Sequence, residues 1–189
     1  NSLILDMCAA PGGKSCYLAE LMDNTGKIIA NDITERKINL IYENIERLQV
    51  KNIELSCCNA LELDEKYKFD YILIDAPCSG LGTIRKIPEI KYAKRILFIK
   101  NTIELQRKLL SKAVNLLKNN GILVYSTCSI EPNENYKNIE WFLNKYENFK
   151  LEPAENYIDK FYCKNGYLQL FPHIHNCDGA FAARLIKIK

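Results

Sequence analysis

Three residues that could carry out chemistry follow two buried-strand patterns. Asp75 and Cys78 come directly after the apolar run 69–74, and Cys128 comes after the apolar run 121–126. Pro77 cannot continue a strand ladder, and the glycine at position 80 favours a turn there. Because the carboxyl ends of strands in an open α/β sheet form the ligand-binding edge, we expect the carboxylate and both thiols to face one cleft.

A carboxylate beside thiols is typical of nucleophilic catalysis. A thiolate adds to an electrophilic carbon, and a carboxyl group can hold or move the proton that the addition requires. The competing interpretation is that Cys78 and Cys128 are small buried hydrophobic residues. Their shared position beside Asp75 favours chemistry. For the remaining thiols we predict a structural role; they are Cys8, Cys16, Cys57, Cys58, Cys163 and Cys177.

Strand and helix patterns alternate along most of the chain. Strands are predicted at 3–6, 27–31, 53–57, 69–74 and 121–126, with a final edge strand at 179–186. Helices are predicted at 14–22, at 101–117, after Thr34 as N-cap, and after Asn133 or Asn135. This alternation predicts an α/β fold with a doubly wound, mostly parallel sheet. The length of 189 residues fits one domain.

Composition narrows the class of protein. The chain is 48% hydrophobic and 26% charged with a net charge of +3, as in an ordinary soluble globule. No apolar run approaches the roughly 20 residues that span a bilayer, so no membrane association is predicted. The eight cysteines are scattered through a chain large enough for its own core, which favours intracellular free thiols, and the lack of a C-x-x-C pair disfavours a zinc ribbon. His173, His175 and Cys177 could ligate a metal, but we predict a surface loop and no metal there.

A glycine-containing loop follows the first strand. Pro11-Gly12-Gly13 allows a tight turn and a close approach of the backbone to a ligand. The loop is neither G-x-G-x-x-G nor a P-loop, so a nucleotide diphosphate is not indicated. Asp32, at the end of the second strand, stands where an acidic residue binds a ribose diol. A nucleoside cofactor such as S-adenosylmethionine is therefore predicted, and a tight βα turn without a ligand is the competing interpretation.

Three motifs together resemble a known family. Asp6-Met7-Cys8-Ala9-Ala10-Pro11-Gly12-Gly13-Lys14, Asp75-Ala76-Pro77-Cys78-Ser79-Gly80 and Ser126-Thr127-Cys128-Ser129 are similar, in order and spacing, to the signatures of the RsmB/Sun (NSUN) RNA (cytosine-5) methyltransferases. The resemblance covers nearly the whole chain. It implies a Rossmann-like S-adenosylmethionine-dependent methyltransferase domain over residues 1–189, without the N-terminal RNA-binding region of the family. It also implies methylation of carbon 5 of cytosine, in rRNA first and tRNA second.

The resemblance assigns a role to each candidate residue. Cys128 is the implied nucleophile toward carbon 6, Asp75 acts at ring nitrogen 3, and Cys78 helps release the product. Residue chemistry alone leaves the attacking thiol open, because cytosine-5 DNA methyltransferases attack with the Pro-Cys thiol, here Cys78. The implied cofactor site consists of Cys8, Ala9, Ala10, Pro11, Gly12, Gly13, Lys14, Asp32, Asn59 and Asp75. Asn59 departs from the aspartate usual in the family, although an amide oxygen can still accept a hydrogen bond.

The basic stretch 85–100 is the predicted RNA contact, through Arg85, Lys86, Lys91 and Tyr92. A solvated loop is the competing interpretation. Two other functions remain open: a non-catalytic RNA-binding or ribosome-assembly module, and a methyltransferase acting on an amino nitrogen. We further expect a monomer located in the cytoplasm, nucleus or nucleolus, with organelles left open.

Overall fold

The computed structural model describes residues 2–93 and 96–188. The strands of this part of the chain are β1 (Leu3–Asp6), β2 (Lys27–Asp32), β3 (Ile53–Cys57), β4 (Phe69–Asp75), β5 (Leu117–Thr127), β6 (Phe149–Glu152), β7 (Cys163–Lys164), β8 (Tyr167–Leu170) and β9 (Ala180–Lys187). The α-helices are α1 (Gly13–Leu21), α2 (Glu35–Leu48), α3 (Ile90–Ala93), α4 (Ile96–Leu116), α5 (Tyr136–Lys145) and α6 (Pro172–His175).

The first five strands form the parallel part of one mixed sheet. Its spatial order is β3-β2-β1-β4-β5-β9-β8-β7, and β6 also pairs with β9. β1 pairs in parallel with both β2 and β4, and β4 pairs in parallel with β5. The chain therefore crosses over between β3 and β4, which places β1 and β4 at the centre. This arrangement confirms the predicted Rossmann-like fold.

Each face of the sheet is covered by its own helices, as the alternation of side chains along a strand requires. Leu5 points into the larger core, where Leu110 of α4 and Phe142 of α5 are fully buried. Ile4, the preceding residue, points to the other face and packs with Cys16 of α1. Successive residues of β1 therefore pack into two different hydrophobic clusters, one on each face, and the carboxyl-terminal edge of the parallel strands lies between the two helical layers.

The prediction that residues 179–186 form an edge strand was wrong. β9 lies inside the sheet, antiparallel to β5 on one side and to β8 and β6 on the other. The strands β6, β7 and β8 were not predicted, because they are only two to four residues long and each contains a polar or charged residue.

The helix predicted at 101–117 is longer than the sequence pattern indicated. α4 begins at Ile96 rather than Asn101 and passes directly into β5 at Leu117. Its end at Leu116 agrees with the predicted end at residue 117, and Asn120, just beyond it, has a left-handed φ of 61°. Thr34 and Asn135 stand at the N-cap positions of α2 and α5, but neither side chain makes a capping hydrogen bond. Lys94 and Arg95 of the predicted basic stretch lie outside the described residues.

Within the described ranges, every helix is too short or too polar to cross a membrane.

Candidate active site

The carboxyl ends of the parallel strands bring three aspartates to one edge of the sheet. Asp6 ends β1, Asp32 ends β2 and Asp75 ends β4. Asp6 lies beside Ala30 on one side and Leu73 on the other, so Asp32 and Asp75 each extend two residues beyond it at this edge. Ser126, near the end of β5, is the partner of Asp75. The sheet itself therefore positions the predicted site.

The loop after β1 turns tightly around Gly12. Its φ of 101° lies in the left-handed region, and a Cβ there would come within 3.1 Å of the Cα of Ile41 in α2. Both the backbone conformation and the close packing therefore require glycine. The loop is also fixed to β2, because the backbone N–H of Ala10 donates to Asp32 Oδ2 at 3.0 Å. This geometry leaves the amino end of α1 open toward the cleft.

Two neighbouring cavities follow this edge. One, of about 280 Å³, is lined by residues of the β1–α1 loop together with Asp6, Lys14 and Asp75. The other, of about 100 Å³, is lined by Asp32 and Asn59 and closed by the apolar Leu105 and Leu109 of α4. Cys8 borders both cavities. An elongated ligand with a polar end and a flat aromatic end fits such a pair of cavities.

The two predicted catalytic thiols are in contact. The Sγ atoms of Cys78 and Cys128 lie 3.2 Å apart, with Cys78 partly buried and Cys128 exposed. A hydrogen bond from the Cys78 thiol lowers the pKa of Cys128 to about 7. The pKa of Cys78 is raised, first because its proton is held in that bond and second by burial. The pair therefore loses its first proton readily and its second with difficulty, and the exposed Cys128 carries the thiolate.

Asp75 is held by two donors. Lys14 Nζ lies 2.5 Å from Asp75 Oδ2, and Ser126 Oγ donates to Asp75 Oδ1 at 2.7 Å. The ion pair is partly exposed, with 55% of the Lys14 and 34% of the Asp75 side chain accessible. Ser126 lies two residues before Cys128, so the carboxylate of β4 is tied to the strand that carries the exposed thiol.

The loop after Cys78 packs against the loop after Cys128 through backbone groups. Gly82 N–H donates to the Cys128 carbonyl at 2.9 Å, and Gly179 N–H donates to the Gly82 carbonyl at 2.8 Å. A Cβ on Gly82 would lie 2.1 Å from the Gly179 carbonyl oxygen. Only glycine permits this approach, so Gly82 is required for the packing of the two loops that carry the thiols.

Comparison with known proteins identifies the family. The model of the RsmB/F 16S rRNA methyltransferases matches residues 1–186. The chain belongs to the RsmB/F methyltransferase family. It is 37% identical to the probable ribosomal RNA small subunit methyltransferase B of Bacillus subtilis over 99% of this chain and 43% of the relative. It is 38% identical to the tRNA (cytosine(72)-C(5))-methyltransferase of Pyrococcus horikoshii over 100% of this chain and 48% of the relative.

A solved structure agrees with this membership. The crystal structure of NSun6 from Pyrococcus horikoshii with SFG, an analogue of S-adenosylmethionine, superposes with a TM-score of 0.90 at 37% identity, covering 100% of this chain and 48% of that one. The chain thus spans less than half the length of these curated relatives.

The cleft of this RsmB/F chain fits S-adenosylmethionine. Asp6 is 1% exposed, and its Oδ2 accepts from Ser15 Oγ at 2.6 Å, while its buried Oδ1 accepts no hydrogen bond of good geometry from residues 2–93 or 96–188. Burial raises the pKa of Asp6 to about 6. An unpaired carboxylate oxygen beside the larger cavity is suited to an ammonium group such as that of the cofactor's methionine end. Asp6 was not among the predicted cofactor residues.

Two predicted cofactor residues already have protein partners. Asp32 Oδ1 accepts from the Ile33 N–H at 2.7 Å and from Lys37 Nζ at 2.9 Å. Asn59 Oδ1 accepts from the Leu61 N–H at 3.1 Å, which caps a short 3₁₀ turn over residues 60–62. Within the described part of the chain, Asp32 Oδ2 accepts only from the Ala10 N–H, and Asn59 Oδ1 has a second lone pair, so both residues can still accept from a bound nucleoside.

The four predicted RNA-binding residues divide into two pairs. Lys86 Nζ lies 2.6 Å from Asp178 Oδ2, and Arg85 approaches the same carboxylate at 3.9 Å. Lys91 and Tyr92 lie on α3 with both side chains exposed, and Tyr92 is 82% accessible. The first pair is therefore partly neutralised by an acidic neighbour, whereas Lys91 and Tyr92 face solvent.

Proposed function

We propose that this chain is the methyl-transfer domain of an S-adenosylmethionine-dependent RNA (cytosine-5) methyltransferase. The observation that carries the proposal is the contact between Cys78 and Cys128 beside Asp75, at the edge where the cofactor cavities lie. Methylation of an amino nitrogen requires no nucleophilic thiol. Addition to a pyrimidine ring requires a thiolate, and a pair of strand-end thiols that share one proton supplies one.

Cys128 is the nucleophile in this proposal. Carbon 5 of cytosine is a poor nucleophile until a thiolate adds to carbon 6. The lowered pKa of Cys128 and its exposure support this role, because the thiolate form must be both populated and accessible. The new carbon–sulfur bond displaces the electrons of the 5,6 double bond onto the ring, which makes carbon 5 nucleophilic toward the methyl group that the cofactor supplies.

Asp75 stabilises the charge that develops on the ring, and Cys78 assists the release of Cys128. Negative charge that develops on the ring is met at nitrogen 3, where Asp75 and its partner Lys14 place a carboxylate and an ammonium donor together. After methyl transfer, carbon 5 gives up its proton to water, and the electrons of that bond restore the 5,6 double bond and expel Cys128 as thiolate. The Cys78 thiol, 3.2 Å from that sulfur, keeps its proton and stabilises the departing thiolate by a hydrogen bond.

RNA is the proposed substrate. The curated relatives are named as enzymes of ribosomal RNA and of tRNA, which supports RNA as the substrate class and rRNA before tRNA. Asp32, Asn59 and the β1–α1 loop would hold the cofactor. Lys91 and Tyr92 would contact the RNA, with Arg85 and Lys86 released from Asp178 as phosphate arrives. A monomer located where RNA is processed, in the cytoplasm or nucleus, completes the proposal.

The proposal is tested by trapping the covalent intermediate. The full-length Cys78→Ala variant is incubated with cellular RNA and S-adenosylmethionine and run on a denaturing gel. If Cys78 assists release, the variant accumulates a protein–RNA adduct, and sequencing the trapped RNA identifies the methylated cytosine. Cys78→Ala/Cys128→Ala must form no adduct.

A matched control replaces a thiol outside the cleft. Cys163→Ala, on β7, must behave as the wild type. An adduct that survives the loss of Cys128 would assign the attack to another residue. Absence of any adduct and of methyl transfer, in a protein that still binds S-adenosylmethionine, would favour the non-catalytic RNA-binding module.

A further inference from the structure

A buried acidic residue connects the two loops that carry the thiols. Glu134, two residues before α5, has 0% of its surface exposed. Ser79, next to Cys78, donates to it through its backbone N–H at 2.8 Å and through its hydroxyl at 2.5 Å. Ser129, next to Cys128, donates its hydroxyl to the same carboxyl group at 2.5 Å. One side chain thus holds both residues that follow the thiols.

The carboxyl group is fully satisfied by these donors. Gln106 Nε2 adds a fourth hydrogen bond at 3.3 Å and also donates to the Pro77 carbonyl at 2.9 Å, just before Cys78. No ion pair found in residues 2–93 and 96–188 involves Glu134. Hydrogen bonds alone therefore compensate the burial of this group, and they come from the segments that flank the site.

Glu134 is itself fixed in place. Its carbonyl accepts from the buried Tyr125 hydroxyl at 2.7 Å. The next residue, Asn135, accepts a hydrogen bond from Thr127 Oγ1 at 2.6 Å and donates one to the Ser129 carbonyl at 2.8 Å. It therefore holds the residues on both sides of Cys128. Because the Glu134 carboxyl group is fixed and accepts hydrogen bonds from both loops, it holds them at a constant separation.

We infer that Glu134 is a positioning residue that sets the separation of the Cys78 and Cys128 sulfur atoms by tying Ser79 to Ser129. It touches neither thiol and lines neither cofactor cavity. Its action is geometric: the hydroxyls and the Ser79 N–H converge on one carboxyl group, so the loops cannot move apart independently. The catalytic consequence rests on the proposed function, but the spacing of the thiols does not.

The spacing can be measured without RNA or cofactor. Phenylarsine oxide condenses with two thiols, forming two arsenic–sulfur bonds and releasing one water, and only sulfurs already close together are bridged by one arsenic. In the full-length wild type, peptide mapping by mass spectrometry is expected to assign a bridge to Cys78 and Cys128. Cys78→Ala supplies the background from the other cysteines.

Two substitutions at Glu134 separate geometry from charge. Glu134→Gln keeps the size and an oxygen acceptor for the Ser79 N–H, and the serine hydroxyls can turn to accept from the amide. It is expected to retain the bridge and to keep kcat within about fivefold of wild type. Glu134→Ala is expected to lose the bridge and about 100-fold in kcat, with the KM for S-adenosylmethionine unchanged.

Each outcome decides the inference. Wild-type bridging and kcat in Glu134→Ala would overturn the inference. Equal losses in Glu134→Gln and Glu134→Ala would also overturn it, because the charge of residue 134 would then matter rather than its hydrogen bonds to both loops. If Glu134→Ala does not fold by circular dichroism, Ser79→Ala/Ser129→Ala removes both hydroxyls from the carboxyl group. That variant must lose the bridge and kcat together, and wild-type values overturn the inference. Bridging that depends on Glu134 in a protein that methylates no RNA would refute the proposed function and leave this inference standing.

Discussion

The sulfur atoms of Cys78 and Cys128 lie 3.2 Å apart although they belong to different strands of the sheet. At this distance the two thiols titrate as one unit, since the proton of either one stabilises the thiolate of the other. Burial differs between them, and the exposed member carries the charge. The contact therefore distinguishes two cysteines that are equivalent by sequence position alone.

Selective alkylation tests this asymmetry. Because the pKa of Cys128 is lowered to about 7, about half of this thiol is ionised at pH 7, compared with a few per cent of an ordinary cysteine. Its rate of reaction with iodoacetamide should rise from pH 5.5 and level off above pH 8, as followed by mass spectrometry of each cysteine. Cys78→Ala removes the donor and should lower the rate at pH 7 roughly tenfold.

Cys57 is the internal control for this experiment. It is also exposed, but partial desolvation and the neighbouring Glu35 raise its pKa. Faster alkylation of Cys57 than of Cys128 at pH 7 would contradict the assignment of the thiolate.

Asp6→Asn should stabilise the fold and weaken the cofactor site. Burial raises the pKa of Asp6 from 3.8 to about 6, so the folded state prefers the protonated form. The contribution of this preference to the free energy of unfolding is fully present below pH 4 and is lost as the pH rises through 6. Above pH 6 the buried carboxylate is ionised, which lowers the stability of the fold by up to roughly 3 kcal/mol. The variant should therefore unfold at a higher temperature than wild type at pH 7 and match it near pH 4.

The same substitution should weaken S-adenosylmethionine binding roughly tenfold in calorimetry, because the unpaired Oδ1 loses its charge. Asp64→Asn is the control for the effect on stability. Lys66 lowers the pKa of the exposed Asp64 carboxylate, so the loss of that carboxylate should slightly reduce the free energy of unfolding at pH 7. A cofactor affinity unchanged in Asp6→Asn would show that the buried oxygen faces no ligand.

Gly82→Ala should damage the site from a distance. The added Cβ would lie 2.1 Å from the Gly179 carbonyl oxygen and 2.7 Å from that of Cys128, and both are backbone atoms that cannot turn away. We expect a loss of 1–3 kcal/mol in the free energy of unfolding, about the cost of overpacking, and a larger fall in kcat than in cofactor affinity. Gly13→Ala, with open space around its Cβ, should leave denaturant unfolding unchanged; equal effects of the two would refute the packing argument.

The exposed pair on α3 should contribute to RNA binding. Lys91→Ala should weaken binding and reduce the salt dependence of log K by about 0.7, as expected for one phosphate contact on a single strand. Tyr92→Ala should cost roughly 1–3 kcal/mol if the ring stacks on a base, with little change in the salt slope. Filter binding at several salt concentrations measures both quantities. Lys164→Ala on β7 should have no effect, and an equal loss there would indicate only non-specific attraction.

The parallel half of the fold was predictable because each of its strands is a short apolar run between helical patterns. The antiparallel half was not, since β6, β7 and β8 are short and gain their order from pairing, β6 and β8 with β9 and β7 with β8. Their pairing is a long-range event that no local pattern encodes. Placing β9 at an edge followed directly from missing its neighbours.

The site divides in the same way. Asp75, Cys78 and Cys128 were found because strand ends mark them. Glu134 was missed because an acidic residue just before a helix usually favours the helix dipole from a solvated position. Its burial depends on Ser79, 55 residues away, and nothing beside it in the sequence distinguishes it. Asp6 was seen within a motif, but its unpaired oxygen is visible only once Ser15 is folded against it.

The position of β9 orders the assembly of the protein during synthesis. β5, which leads to Cys128, has β4 on one side as soon as both have been made, but its other neighbour is the last strand of the described chain. Gly179, which closes the backbone contact with Gly82, arrives with that strand. A nascent chain that already contains both thiols and all three aspartates therefore exposes β5 as an open sheet edge, and the catalytic cleft matures only after translation of the domain has been completed.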